Sequence, residues 1–221
     1  MFLFIISHCA RFEKTKLSLF VVRMKFLIYN GRMENEDLFL IEKETQAHLR
    51  YDGRIIKLRV DDIALPDGKP SKREYVCHNG GAAILAVDDE DYVYLVRQFR
   101  YPYREVIYEI PAGKLEVGEE AIVTAGRELE EEVGLCAEKI VPYGMLYPSP
   151  GYTNEHLYIF LAKGLKQTNA HLDDEEFLNV HRLPFKQVLS MVMNGEIHDA
   201  KTCYAILRYV TDKGGLSNEI V

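Results

Sequence analysis

An acidic cluster in residues 113–135 has the residue types and the spacing to hold divalent cations. Residues three and four apart share one face of a helix, so Glu128 is expected beside both Glu131 and Glu132. Like charges so placed repel each other by roughly 0.2–0.5 kcal/mol per pair, and Arg127 can offset only part of this repulsion through Glu131. Bound Mg²⁺ or Mn²⁺ would reverse the sign of this energy, because both ions take hard oxygen ligands.

The spacing decides between a metal site and a solvated acidic face, which is the usual meaning of an isolated run of glutamates. The segment has these fixed positions: Gly113, Glu119, Arg127-Glu128-Leu129, Glu131-Glu132 and Gly134-Leu135. They are separated by five, seven, one and one residues, which is the pattern of the Nudix box. The chain therefore resembles the Nudix hydrolases, enzymes that cleave nucleoside diphosphates linked to another group.

The resemblance implies a metal site and a set of catalytic side chains. Two or three Mg²⁺ ions, or Mn²⁺, would be held by the carbonyl of Ala112 and by three carboxylates, those of Glu128, Glu132 and Glu176. The catalytic residues would be Glu131, Arg127 and Glu175. Glu175 lies in an acidic loop at residues 172–177 and would be the general base, with Asp174 as the alternative. Glu119 is either a further ligand or a carboxylate that stabilises the helix N-terminus.

The sequence around the box narrows the substrate. Pro150 follows Leu135 by 15 residues, and the string YPSPGYTNEHLYIFLA at 147–162 resembles the proline-bearing loop of ADP-ribose pyrophosphatases. Further resemblances to these enzymes are YEIPAG before the box, VRQFRYPY at 96–103 and GEIHDAKTCYAILRY at 195–209. They imply hydrolysis of ADP-ribose to AMP and ribose 5-phosphate. Five residues would bind the substrate: Arg73, Glu74, Arg100, Pro150 and Glu155.

Two other functions remain open. One is hydrolysis of another nucleoside diphosphate sugar, such as GDP-mannose, since the proline-bearing loop does not exclude such substrates. The other is a binding module that recognises ADP-ribose without cutting it. The intact set of box carboxylates argues against a binding module, because a protein that only binds could lose metal ligands without penalty.

The periodicity of the chain predicts the elements that must position these residues. Alternation of apolar and polar residues, broken by Gly and Pro, predicts strands within 38–63 and at 73–78, 82–87, 92–98, 140–146, 156–162 and 178–183. Helical spacing predicts helices at 119–133, 185–194 and 200–211. This order predicts an α/β fold, namely a Nudix-type α/β/α sandwich with a mixed β-sheet and an N-terminal antiparallel strand region.

We divide the chain into three parts. Residues 1–33 alternate apolar and basic pieces, and we expect an extension of doubtful structure with Met24 or Met33 as the natural start; an extra strand or helix is the alternative. Residues 34–80 are expected to be the N-terminal strand region and, by resemblance, an element of a dimer. Residues 81–215 are expected to form the Nudix hydrolase domain.

Composition and hydropathy limit the partners. The net charge of −7 argues against nucleic-acid binding, which needs a clustered basic surface. No apolar run approaches the roughly 18 residues needed to span a bilayer, and no basic residues precede the apolar start as they would in a signal peptide. We therefore expect a cytoplasmic protein without membrane partners. The resemblance adds a homodimer and a small nucleoside diphosphate sugar as partners.

Overall fold

The structure, a computed structural model, describes residues 35–172 and 176–214. The predictions for residues 1–33, and for a general base at Asp174 or Glu175, fall outside these described residues. No helix in the described ranges is both long enough and apolar enough to cross a membrane.

The first of two compact units comprises the described chain up to His78 together with Gly151–Thr153. A short 3₁₀ helix precedes four strands: Asn35–Leu40 is the helix, followed by Lys43–Gln46 (β1), Leu49–Asp52 (β2), Lys57–Ala64 (β3) and Pro70–Cys77 (β4). Strand β3 is central, because it pairs with β4 along its whole length and with β1 and β2 at its two ends. All these pairings are antiparallel, which gives a four-stranded antiparallel sheet.

The buried carboxylate of Asp61 joins three segments of this sheet. It accepts hydrogen bonds from the His48 backbone N–H at 2.8 Å, from Arg59 Nε at 3.3 Å and from the Tyr75 hydroxyl at 3.0 Å. A buried carboxylate needs such partners, because water no longer compensates its charge. Asp61 therefore ties the loop before β2 to strands β3 and β4.

The second unit contains Asn79–Pro150 and the described residues from Asn154 onward. Its seven strands are Gly81–Val87 (β5), Tyr92–Arg100 (β6), Glu105–Glu109 (β7), Ala112–Lys114 (β8), Leu135–Leu146 (β9), Leu157–Gln167 (β10) and Leu178–Pro184 (β11). Five of them lie in the order β11-β6-β5-β10-β9, while β7 pairs with β6 and β8 pairs with β5. Strands β5 and β10 are parallel and the other pairings are antiparallel, so this sheet is mixed.

Three helices cover the mixed sheet: Ala121–Val133 (α1), Phe185–Met193 (α2) and Ala200–Asp212 (α3). Every residue of β5 is buried, which requires cover on both faces of that strand. Alternate β5 residues such as Ala83 and Leu85 pack in one apolar core with Val188 of α2 and Ile206 of α3. Helix α1 also contacts β5. The predicted α/β/α sandwich with a mixed sheet and an N-terminal antiparallel strand region is confirmed.

Some element boundaries differ from the sequence prediction. Helix α1 begins at Ala121 rather than at 119, because the preceding residues form a turn in which the Glu119 N–H donates to the Glu116 carbonyl at 3.0 Å. Strand β9 begins at Leu135, directly after the helix, rather than at 140. Strands β7 and β8 carry no alternation that predicts them, since they are short and lie next to Pro111.

Candidate active site

Helix α1 presents Glu128 and Glu132, one turn apart, to the backbone at the start of β8. Both residues are almost fully enclosed, with 6% of Glu128 and 3% of Glu132 exposed. The Ala112 backbone N–H donates a hydrogen bond of 3.1 Å to Glu132 Oε2. The Glu128 carboxylate fills the space that a Cβ atom on Gly113 would occupy. The glycine that opens the box is therefore needed for the close approach of the backbone to this carboxylate.

Burial raises the pKa of both carboxyl groups. Loss of water around Glu128, with smaller contributions from the charges of Glu131 and Glu176, raises its pKa to about 7. Burial, followed by the charge of Glu128, raises the pKa of Glu132 to about 8, although the Ala112 N–H acts in the opposite direction. Strongly shifted pKa values in one enclosed cluster are typical of a functional site.

Arg127 holds the more exposed acids of the cluster in place. Its Nη1 lies 2.7 Å from Glu131 Oε2 and 2.8 Å from Glu128 Oε1. Its Nε lies 3.4 Å from Glu119 Oε1, and Glu119 Oε2 accepts a hydrogen bond of 3.2 Å from the Glu116 backbone N–H. In this structure Arg127 therefore orients carboxylates of the box.

Glu176, which precedes β11, lies within electrostatic reach of the same cluster. Its negative charge contributes to the raised pKa of both Glu128 and Glu132. The fold thus brings together Glu128, Glu132 and the backbone of Ala112, while the fourth predicted ligand, Glu176, is exposed and lies within electrostatic reach of them. Whether they act as ligands stays a prediction.

The chemistry of these donors fits a hard divalent cation. In the ranges 35–172 and 176–214, Glu132 has a backbone hydrogen bond but no lysine or arginine partner. A bound cation would compensate the negative charges of Glu128 and Glu132 and remove the repulsion between them. The side chains alone do not form a complete metal site. In the described part of the chain, no group of three or more His, Cys, Asp or Glu residues is arranged to hold an ion.

Arg100, one of the predicted substrate-binding residues, lies at the end of β6. Its Nε and Nη2 donate to the two oxygens of Glu109 at 2.7 and 3.0 Å. Glu109 also accepts a hydrogen bond of 2.5 Å from Lys201 Nζ of helix α3. The charge of Glu132 contributes to the raised pKa of Arg100, which places Arg100 within electrostatic reach of the box carboxylates.

A cleft of about 200 Å³ lies next to this ion pair. It is lined by Leu146, Pro148, Glu155, Leu157, Asp199, Ala200 and Lys201. Of the five predicted substrate-binding residues, Glu155 lines the cleft, while Pro150 is exposed and does not. Arg73 and Glu74 are exposed on β4 of the first unit, where Arg73 Nε donates to Glu42 Oε2 at 2.8 Å. Their roles stay predictions.

The sequence reasoning did not single out Glu109 or Lys201. Both lie in strings that resemble those of ADP-ribose pyrophosphatases, YEIPAG for Glu109 and GEIHDAKTCYAILRY for Lys201. Beyond that resemblance neither residue carries a local signal, because each is a single charged residue of ordinary type in its surroundings. Their pairing could not be read from the sequence, because they lie 92 positions apart.

Comparison with known proteins agrees with this site. Residues 78–203 match the family model described as NUDIX domain, and residues 48–76 match the nucleoside diphosphate sugar hydrolase N-terminal domain. An ADP-ribose pyrophosphatase of Bacillus subtilis is 46% identical over 76% of this chain and 91% of its own length. A methanol dehydrogenase activator of Bacillus methanolicus is 41% identical over 75% of this chain and 90% of its own length.

A solved structure of an ADP compounds hydrolase has the same fold. It superposes with a TM-score of 0.70 and covers 78% of this chain and 96% of its own, at 20% sequence identity. The family model matches more than half of the chain and includes every position of the acidic box. The chain therefore belongs to the Nudix hydrolase family.

Proposed function

We propose that this Nudix hydrolase cleaves the pyrophosphate bond of ADP-ribose, in a reaction that needs divalent metal, and releases AMP and ribose 5-phosphate. The observation that carries the proposal is the enclosed pair Glu128 and Glu132 on the backbone of Ala112 and Gly113. The choice of ADP-ribose is supported by the similarity to the Bacillus subtilis ADP-ribose pyrophosphatase.

The metal site in this proposal consists of the carbonyl of Ala112 and the carboxylates of Glu128, Glu132 and Glu176. Bound Mg²⁺ ions, two or three in number, supply positive charge to the phosphate oxygens and lower the pKa of a water molecule. Mn²⁺ can replace Mg²⁺, because it takes the same oxygen ligands. The Ala112 N–H holds Glu132 Oε2 in position for this role.

The other side chains position the reaction. Arg127 and Glu131 form an ion pair that orients the box, and Arg100 binds the diphosphate through the N–H groups that Glu109 does not use. Glu175 takes a proton from the attacking water.

Substrate recognition in this proposal involves the remaining predicted residues. Glu155, at the cleft, and Pro150, in the loop before it, would contact the ribose 5-phosphate half of the substrate. Arg73 and Glu74 would contact adenosine. We also propose that the protein is cytoplasmic and a homodimer, with residues 34–80 as the dimer element.

The dimer is supported by apolar side chains that stay exposed in the first unit, such as Leu49, Tyr51 and Ile55. Light scattering of the purified protein should give twice the mass of one chain. A monomer mass at micromolar concentration would contradict this part of the proposal.

The experiment that tests the activity measures phosphate release coupled to alkaline phosphatase. ADP-ribose itself gives no phosphate to the phosphatase, whereas both products do. We expect phosphate release with added Mg²⁺ and none without added divalent cation, and Glu132→Gln should lower turnover by about 10²-fold or more, because it removes a principal carboxylate. Absence of release with Mg²⁺ from the wild-type protein would contradict the proposal.

A second candidate is hydrolysis of another nucleoside diphosphate sugar, for example GDP-mannose. It is favoured by the match of residues 48–76 to the N-terminal domain of nucleoside diphosphate sugar hydrolases, whose description does not specify the base or the sugar. A panel of nucleotide sugars in the same assay separates the two candidates. ADP-ribose should have the highest kcat/KM, and a higher value for GDP-mannose would favour the second.

A non-catalytic ADP-ribose-binding module is the remaining alternative. Keeping Glu128 and Glu132 enclosed is unfavourable unless the charges are compensated, and binding alone does not require these two groups. ADP-ribose that binds in the presence of Mg²⁺ and is recovered uncut would favour this alternative.

A further inference from the structure

Four charged side chains form a chain of ion pairs between strands β6 and β7 and helix α3: Arg100, Glu109, Lys201 and Asp199. Glu109 is its centre and is only 3% exposed. Glu109 Oε2 accepts from Arg100 Nε at 2.7 Å, and Oε1 accepts from Arg100 Nη2 at 3.0 Å and from Lys201 Nζ at 2.5 Å. Lys201 Nζ also donates to Asp199 Oδ1 at 2.9 Å.

Helix α3 fixes the Lys201 end of this chain. The Asp199 side chain caps the helix by accepting from the Thr202 backbone N–H at 3.0 Å and from the Thr202 hydroxyl at 2.6 Å. The Thr202 hydroxyl in turn accepts from the Ile110 backbone N–H at 2.8 Å, directly after Glu109. These hydrogen bonds fix the backbone next to Lys201, at Thr202, and the backbone next to Glu109, at Ile110.

The two hydrogen bonds from Arg100 to Glu109 define the orientation of its guanidinium plane. They use Nε and one N–H of Nη2, so among the residues that the structure describes the N–H groups of Nη1 have no acceptor and can donate to the oxygens of a phosphate. Lys201 shares the charge of Glu109. The carboxylate of Glu109 is therefore held between two cations, so its position relative to Arg100 depends on Lys201.

The chain of ion pairs extends between two parts of the candidate active site. At one end, Arg100 is within electrostatic reach of Glu132. At the other end, Lys201 and Asp199 line the cleft that also contains Glu155. Glu109 and Lys201 connect Arg100 to the cleft, so their positions can affect how the diphosphate of a substrate is bound.

We propose that Lys201 is a positioning residue, which acts through Glu109 to hold Arg100 in the orientation that binding of the substrate diphosphate requires. This inference rests on the proposed function, because it concerns the diphosphate of the same reaction. Lys201 is not assigned any contact with the reacting atoms.

The test is a double-mutant cycle on kcat/KM for ADP-ribose. Lys201→Met removes the ammonium group and keeps a long apolar side chain. We expect it to lower kcat/KM by roughly 10- to 100-fold in the wild-type background, as for a misplaced binding group. In an Arg100→Ala background, Lys201→Met should lower kcat/KM by less than about 2-fold, because no guanidinium is left to position.

The cycle separates positioning from a structural role. A loss of the same factor in both backgrounds would overturn the inference, since Lys201 would then act independently of Arg100. Tyr143→Phe is the matched control, because it removes one hydrogen bond of 2.7 Å, from the Tyr143 hydroxyl to Asp212, elsewhere on helix α3. It should lower the melting temperature while leaving kcat/KM within about 2-fold of wild type.

A conservative variant keeps the inference testable if Lys201→Met does not fold. Lys201→Arg retains the positive charge but changes its geometry, and its effect should also disappear in the Arg100→Ala background. Additive effects of Lys201→Arg and Arg100→Ala would overturn the inference. Wild-type protein that does not hydrolyse ADP-ribose would overturn both proposals, whereas active wild type with additive variants would overturn this inference alone.

Discussion

The carboxylate of Glu128 lies against the α-carbon of Gly113, in the volume that any other residue would fill with its Cβ atom. The first glycine and the first helical glutamate of the box are thus in direct contact, although 14 residues separate them in the sequence. This contact brings the backbone at the start of β8 to the two enclosed carboxylates of α1. It is the relationship on which the proposed metal site depends.

Gly113→Ala should displace the Glu128 carboxylate. The atoms that a new Cβ would meet belong to the end of a side chain, so Glu128 can rotate away and the chain should still fold. The proposed ligand would then be misplaced, and kcat/KM should fall by roughly 10- to 100-fold. Steady-state kinetics together with circular dichroism measures both effects.

Gly126→Ala, on the helix that carries Glu128, is the matched control. Its Cβ would meet only the tip of Ile140, at 3.2 Å, and alanine favours a helix over glycine by about 1 kcal/mol. Activity should stay close to wild type. An equal loss of activity in the two variants would mean that the contact with Glu128 is not what makes Gly113 necessary.

The metal-free protein should lose stability as the pH rises from about 5 to about 8. In the folded state the pKa of Glu128 is raised to about 7 and that of Glu132 to about 8 from an ordinary value of 4.5, chiefly by burial. The folded state therefore binds protons more tightly than the unfolded state. The contribution of Glu128 and Glu132 to stability is complete below pH 4.5 and is lost as the pH rises past their folded-state pKa values of about 7 and about 8.

Urea unfolding of the wild type and of Glu132→Gln, in EDTA at several pH values, measures this effect. The difference in unfolding free energy between the two proteins should shift in favour of the variant as the pH rises, because glutamine does not ionise. Adding Mg²⁺ at pH 8 should stabilise the wild type more than the variant. A difference that does not change with pH would contradict the assignment of a raised pKa to Glu132.

Asp61→Ala should destabilise the first unit by about 1–3 kcal/mol, because it leaves the Arg59 guanidinium and the Tyr75 hydroxyl without their buried acceptor. Asp52→Ala removes an exposed ion pair with Lys57 in the same unit and should change stability by less than about 1 kcal/mol. Denaturant unfolding compares the two. Similar losses of stability in both variants would show that the Asp61 contacts contribute little.

The elements that carry a local signal could be predicted from the sequence. Helix α1 has apolar residues such as Ile122, Ala125 and Leu129 at helical spacing on its buried side, where Glu128 and Glu132 are buried as well. Gly134 then ends the helix with φ 72°, a backbone conformation that glycine adopts readily. The fully buried strand β5 is a short apolar run, as expected for a central strand.

The parts that depend on contacts distant in sequence could not be predicted. Strands β7 and β8 are stabilised by pairing with β6 and β5 rather than by a pattern of their own. In the sequence, Glu109 and Lys201 each look like an ordinary charged residue. The fold places Lys201 Nζ 2.5 Å from Glu109 Oε1. The start of α1 was misplaced by two residues, because Glu119 belongs to a turn that precedes the helix.

Binding of Mn²⁺ to the purified protein tests the central claim most directly, since it requires no assumption about the substrate. Titration calorimetry at neutral pH should detect Mn²⁺ binding to the wild type, and Glu132→Gln should weaken this binding by at least about 10-fold. Glu138→Gln, which changes an exposed glutamate paired with Lys166, should leave it unchanged. Absence of Mn²⁺ binding to the wild type, or equal affinity in Glu132→Gln, would contradict the account.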